Sequence, residues 1–161
     1  MENERWLNSE EREAWVKFAA VLELLPASLD AQLTGDQELT HFDYWVLAML
    51  SEAEGHKLRL TSLAARTNAT LPRLSRVVSR LERQGLLERK PCPEDGRATN
   101  AVLTDAGRAK VVDAAPGHVA HVRAAVVDAL SREQIRQLSA ISTQLLARLD
   151  PQGKMFASES P

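Results

Sequence analysis

Between residues 71 and 84, arginines fall at positions 73, 76, 80 and 83. At 3.6 residues per turn, these steps set Arg73, Arg76, Arg80 and Arg83 along one side of a helix, with Ser75 and Ser79 beside them. Leu74, Val77, Val78 and Leu81 form a separate apolar stripe that would pack inward. A guanidinium is a planar fork of N–H donors that can engage two acceptors at once, either phosphate oxygens or the O6/N7 edge of guanine. The N-terminal part of such a helix is the part that reaches bases, which makes Arg73, Ser75 and Arg76 the base-reading candidates. Arg80 and Arg83 are expected to touch backbone or to pair with an acid such as Glu82 or Glu88. An amphipathic helix with a solvated basic face would show the same stripe, so the helix alone leaves both readings open.

The surrounding elements narrow the choice. Thr61 is placed to cap a short helix over 62–66, and Asn68-Ala69-Thr70 makes a tight turn. Leu71-Pro72 then opens the arginine helix, and Gly85 stops it. Beyond it, residues 86–90 and 99–103 have strand-like composition and flank the Pro/Asp/Gly turn of residues 91–97, which predicts a β-hairpin. Arg97 follows Asp95-Gly96 at its tip, where a cation can enter a minor groove beside the helix, and Asp95 is placed to hold it by a charge-assisted bond. Helix, turn, helix and hairpin in this order make a winged helix-turn-helix, whose second helix enters the major groove.

Outer helices frame this lobe. Trp15, Phe18, Val21, Leu22, Leu25 and Leu29 recur at helical steps over residues 10–33; Pro26 is expected to bend or divide that helix, and Thr34-Gly35-Asp36 to end it. Thr40 and Asp43 form a capping-box variant ahead of Phe42, Trp45, Val46, Met49 and Leu50, and Gly55 closes that helix. Residues 57–60 read as a short extended piece. Thr104 caps a helix interrupted at Pro116-Gly117, and Ser131 caps a last one carrying Ile135, Leu138, Ile141, Leu145 and Leu149. The expected fold is mainly α with a small β-hairpin. A winged helix-turn-helix lobe spans residues 40–107, helical dimerisation regions span 10–34 and 108–150, and polar tails cover 1–9 and 151–161.

Charge is distributed unevenly along the 161 residues. The chain as a whole carries −2, but residues 58–97 hold 9 Lys/Arg against 4 Asp/Glu, whereas residues 1–57 hold 4 against 12. A positive segment in an otherwise acidic chain suits a phosphate-contacting module. No apolar run reaches the roughly 20 residues of a membrane span, and the acidic N-terminus does not read as a secretory signal. A single cysteine, Cys92, excludes an intrachain disulfide and fits the cytoplasm. Gly-rich phosphate loops, nucleophile elbows and metal motifs are absent, which argues against an enzyme.

The stretch from Leu63 to Ala109 resembles the multiple-antibiotic-resistance regulator (MarR) family. The resemblance rests on Asp95-Gly96-Arg97 followed by Val102-Leu103-Thr104 and Gly107, and on Leu81-Glu82 with Gly85-Leu86. The run from Ala114 to Arg123 is similar to actinobacterial-type members. The resemblance implies a homodimer that binds double-stranded DNA at a pseudo-palindromic operator, usually as a repressor released by a small, often phenolic, ligand. It also implies an effector pocket between the dimer helices and the DNA-binding lobe, with Trp15, His41, Tyr44 and Trp45 as lining. Leu71 and Pro72 depart from the polar residues many members carry at the start of the recognition helix, so base specificity does not transfer from relatives.

Other residues carry weaker alternatives. Arg89 and Lys90 would favour the Cys92 thiolate, but peroxide-sensing relatives place their reactive cysteine near the N-terminus, and an inert thiol is the expectation. His118 and His121 share a helix face, and with His41 and Glu23 they are the one loose metal constellation; capping and surface roles are expected instead, with no cofactor. The rival to DNA binding is a helical dimer that serves only as a protein-interaction module.

Overall fold

The computed structural model describes residues 5–156; residues 1–4 and 157–161, parts of the two expected polar tails, lie outside the described residues. Six α-helices and three strands follow one another as α1 (Ser9–Gln37), α2 (His41–Glu52), β1 (Lys57–Arg59), α3 (Leu60–Arg66), α4 (Leu71–Arg83), β2 (Leu87–Cys92), β3 (Asp95–Leu103), α5 (Asp105–Ala125) and α6 (Arg132–Leu149). This is the mainly helical, winged fold expected from the sequence. The sheet is antiparallel in the order β1-β3-β2, so the extended piece at 57–59 joins the hairpin as a third strand, with Leu58 opposite Ala101.

Local capping chemistry sets most boundaries. Thr40 accepts from the Asp43 N–H while Asp43 accepts from the Thr40 N–H, and Ser131 and Gln134 repeat the arrangement at α6. Thr70 caps α4 and Thr104 caps α5. A third reciprocal box, Asn8 with Glu11, begins α1 one residue earlier than expected.

The structure corrects several expected boundaries. Helix α1 runs past Thr34-Gly35-Asp36 to Gln37 and ends where Glu38 turns left-handed (φ 56°). Neither Pro26 in α1 nor Pro116-Gly117 in α5 divides its helix. A proline deletes one N–H bond, but turns on either side keep theirs, and here α1 and α5 lie against each other. Thr61 is not a cap: α3 already begins at Leu60, and no side chain caps it. Helix α2 ends at Glu52 rather than Gly55, which takes φ 63° within a one-turn 3₁₀ segment at Glu54–His56. The wing strands reach to Cys92 and Asp95, leaving only Pro93 and Glu94 between them.

One core serves the lobe. Leu39, Val46, Leu47 and Leu50 of the α2 region meet Leu58, Leu63, Leu74, Val77, Val78, Leu81, Leu87, Ala101 and Leu103. The outer helices behave differently. Leu33 is the one buried residue of α1, and α6 buries none.

Gly107 joins the two regions. A Cβ there would stand 1.9 Å from the Leu86 carbonyl oxygen and 2.7 Å from Leu103 Cδ1. Backbone cannot yield as a flexible side chain can, so Gly107→Ala is expected to cost about 2 kcal/mol or more of unfolding free energy. Urea denaturation checks this; a loss under about 0.5 kcal/mol, the scatter of ordinary surface changes, would show that the α5 junction can open without penalty.

Candidate nucleic-acid interface

Helix α4 has a fully buried side and an exposed one. Leu74, Val78 and Leu81 are completely buried and Val77 nearly so, which fixes the helix's rotation and turns Arg73, Arg76, Arg80 and Arg83 outward. The four arginines are not equivalent. Arg73 lies over the Phe42 ring of α2, its guanidinium carbon 4.2 Å from the ring centre, a cation–π contact between the two helices. Arg80 is ion-paired with Asp43 of α2, and neither Glu82 nor Glu88, the acids expected as alternatives to backbone contact, is its partner. Glu82 is engaged by Arg89, and Glu88 by Lys90. Arg83 donates to the Ser79 carbonyl in its own helix. No ion pair engages Arg76 among the described residues.

Ser75 and Ser79 face the wing. The Arg89 guanidinium donates to the Ser75 carbonyl at 2.9 Å, to Ser75 Oγ at 3.2 Å, to Ser79 Oγ at 3.0 Å and to Glu82 Oε2 at 2.8 Å. The Arg89 N–H also donates to Glu82 Oε1 at 2.9 Å, and these bonds hold the Glu82 carboxyl below the usual carboxylate range. Arg89 thus ties β2 to the recognition helix along two turns. Sequence reasoning passed over Arg89 in that role, although strand alternation with buried Leu87 marks the side it takes. At the wing tip, Asp95 Oδ1 accepts from the Arg97 backbone N–H at 3.1 Å. The expected charge-assisted hold on the guanidinium is replaced by an Asx-type turn, which leaves the Arg97 side chain projecting. Cys92 is buried, and its thiol donates to Glu94 Oε2 at 3.0 Å.

This geometry has known counterparts. A family profile described as MarR family matches residues 38–98. Sco3205 of Streptomyces coelicolor, a MarR family transcriptional regulator solved in complex with DNA, is 39% identical; the match covers 94% of each chain with a TM-score of 0.89. AbsC of the same organism, another MarR family transcriptional regulator, is 36% identical over 90% of this chain and 97% of its own, with a TM-score of 0.86. The chain belongs to the MarR family. The Bacillus subtilis transcriptional repressor YetL is 31% identical over 96 residues, 60% of this MarR chain, and the match spans 57% of YetL's length. These relatives are named as transcriptional regulators. Among the described residues, no helix is long and apolar enough to cross a membrane.

Three of the four residues expected to line an effector pocket come together in this MarR chain. His41 lies 5.8 Å from Trp45 and 5.9 Å from His118 between ring centres, and Tyr44 lies 4.6 Å from His118. Trp15 shares no ring contact with them among the described residues and is half exposed on α1. His121 bonds Ser28 of α1 at 2.8 Å, and Asp30 of α1 accepts from the His41 backbone N–H at 2.9 Å. Among the described residues no group of three or more His, Cys, Asp or Glu converges as a metal site. A separate cavity of about 550 Å³ lies between α3 and the C-terminal turn, lined by residues such as Ala65, Asn68, Leu149 and Met155.

Burial pushes both His41 and His118 below the ordinary imidazole value of 6.5; for His118 the neighbouring His41 and His121 add to the shift, while for His41 the Asp30 carboxylate opposes it. Both folded values lie below the unfolded one, so the unfolded chain binds more protons in between. Their contribution to stability is intact above about pH 6.5 and is lost as pH falls through the lowered folded values. Denaturation at pH 7.5 and 5.5 is expected to show lower stability at the acidic value, with a smaller difference in His118→Gln. An equal pH dependence in that variant would assign the effect to other groups.

Proposed function

We propose that this MarR protein is a ligand-responsive repressor that acts in the cytoplasm as a homodimer on a pseudo-palindromic operator. The observation that carries the DNA-binding part is the exposed N-terminal half of α4. There Arg76 has no ion-pair partner among the described residues and Arg73 lies over Phe42, while the helix is clamped from both sides. Arg73 and Arg76 are assigned to base edges in the major groove, and Arg97 to the adjacent minor groove and its phosphates. Ser75 and Ser79 contribute by anchoring Arg89, and their hydroxyl protons are assigned to phosphate oxygens. The complex of Sco3205 with DNA supports a duplex as the partner.

The dimer is supported by what the single chain leaves uncovered. Leu138, Ile141, Leu145 and Leu149 of α6 are exposed, as are Trp15, Val16, Val21 and Leu22 of α1. Apolar faces of this extent on the two outer helices fit burial against a second copy, with residues 10–34 and 108–150 as the dimerisation region and 40–107 as the DNA-binding lobe. Two recognition helices about 34–36 Å apart would then meet successive major grooves. A small aromatic effector is assigned to the ring cluster of His41, Tyr44 and Trp45, between the outer helices and the lobe. A ligand favouring a wider spacing of the lobes would lower DNA affinity by its differential affinity for the two states.

The deciding experiment titrates the purified protein against its own upstream intergenic DNA, with random duplex as competitor, at two salt concentrations. Saturable, competitor-resistant binding by a dimer is expected. A folded dimer that binds no DNA at low salt would leave a protein-interaction module in its place. Arg76→Ala is expected to relax preference at one base position by about 1–3 kcal/mol; equal losses on operator and random DNA would refute base reading. Arg97→Ala should weaken both duplexes alike and reduce the salt slope by about one contact, and an unchanged slope would remove Arg97 from the interface.

A further inference from the structure

Two adjacent residues of α2 hold arginines two turns apart on α4: Phe42 lies under Arg73, and Asp43 pairs with Arg80. Asp43 is 4% exposed, so its charge is enclosed between the two helices. One of its oxygens, Oδ2, accepts from the Thr40 N–H at 3.0 Å and completes the α2 cap. Capping accounts for that oxygen alone. The other, Oδ1, points out of α2 and is spent on Arg80, whose side chain remains 44% exposed. A buried carboxylate is costly unless paired, and an unpaired Arg80 would join the outward row as one more phosphate-seeking cation.

We propose that Asp43 is a positioning residue for DNA discrimination, one that withholds Arg80 from the phosphates and fixes the tilt of the recognition helix. This inference rests on the DNA-binding reading above. Each extra phosphate contact strengthens binding to any sequence, and only base contacts made at a fixed helix angle separate operator from random duplex. The Asp43–Arg80 pair acts on both sides of that balance. It neutralises a sequence-blind cation at the C-terminal end of α4 and pins this end against α2, so the N-terminal half, with Arg73 and Arg76, meets the bases at one angle. The discrimination then depends on a carboxylate that touches no DNA.

The test compares wild type, Asp43→Asn, Arg80→Gln and the double variant, each as the full chain, on the upstream fragment and on random duplex between about 50 and 200 mM salt. In Asp43→Asn the amide can keep the Thr40 cap but carries no charge to hold Arg80. Random-DNA binding is expected to tighten about three- to tenfold at the lower salt, with the salt slope steeper by about one contact. The operator-to-random ratio is expected to fall about tenfold. Adding Arg80→Gln should return the slope to the wild-type value, and Arg80→Gln alone should leave that value unchanged. A purely structural role would instead lower Tm and weaken both duplexes in proportion, with no change of slope.

An unchanged slope and ratio in Asp43→Asn would overturn the inference. So would a slope reduced by about one contact in Arg80→Gln alone, since Arg80 would then already sit on a phosphate. Should Asp43→Asn fail to fold, the Arg80→Gln slope decides the question without it. Wild-type protein that binds neither duplex would overturn the DNA-binding reading and this inference with it.

Discussion

A helix can present charged side chains in a fixed direction only when its opposite side is buried and its roll is prevented. In α4 the buried side is supplied by Leu74, Val77, Val78 and Leu81, packed on α2, α3 and the sheet. Hydrophobic burial is non-directional and would tolerate small rotations and slides. Polar contacts remove that freedom: Arg80 on Asp43 along one flank, and Arg89 on Ser75, Ser79 and Glu82 along the other. The direction of Arg73 and Arg76 depends on these contacts, and the wing is held to the helix by the buried Leu87 and by the polar contacts of Arg89, both on β2.

The two flanks tie the recognition helix to different parts of the chain. Helix α2, which carries Phe42 and Asp43, also carries His41 and Tyr44, and these rings meet His118 of α5. The α2–α5 contact and the contacts that hold the arginines of α4 are thus made by adjacent residues of one helix.

The apolar residues divide by their location. Those of the lobe are satisfied within the chain, as the enclosed leucines of α2, α3 and α4 show. Those of α1 and α6 are not, and α6 is amphipathic without a covering surface of its own. A lobe that buries its own core, attached to helices left uncovered, is consistent with the homodimer proposed above.

Local chemistry made much of this legible in the sequence. The caps at Thr40, Thr104 and Ser131, the inward stripe of α4, the outward arginines and the wing hairpin all follow from spacing within a few residues. Contacts between distant residues did not follow. Arg80 was expected to touch backbone or to pair with an acid near it in sequence, yet its partner is Asp43, which lies 37 residues away and is enclosed by packing that sequence spacing does not reveal. In sequence Arg89 reads only as a cation near Cys92, whereas the folded hairpin lays it on Ser75 and Ser79. Pro26 was expected to bend or divide its helix and Pro116-Gly117 to interrupt theirs; neither helix is divided, because a missing N–H bond is a local cost that packing between α1 and α5 can offset. Sequence by itself determined which residues form helices and which face of α4 is basic, because those depend on periodicity and capping. Only the tertiary structure decided which arginines are already occupied, because pairing depends on which distant groups share a buried space.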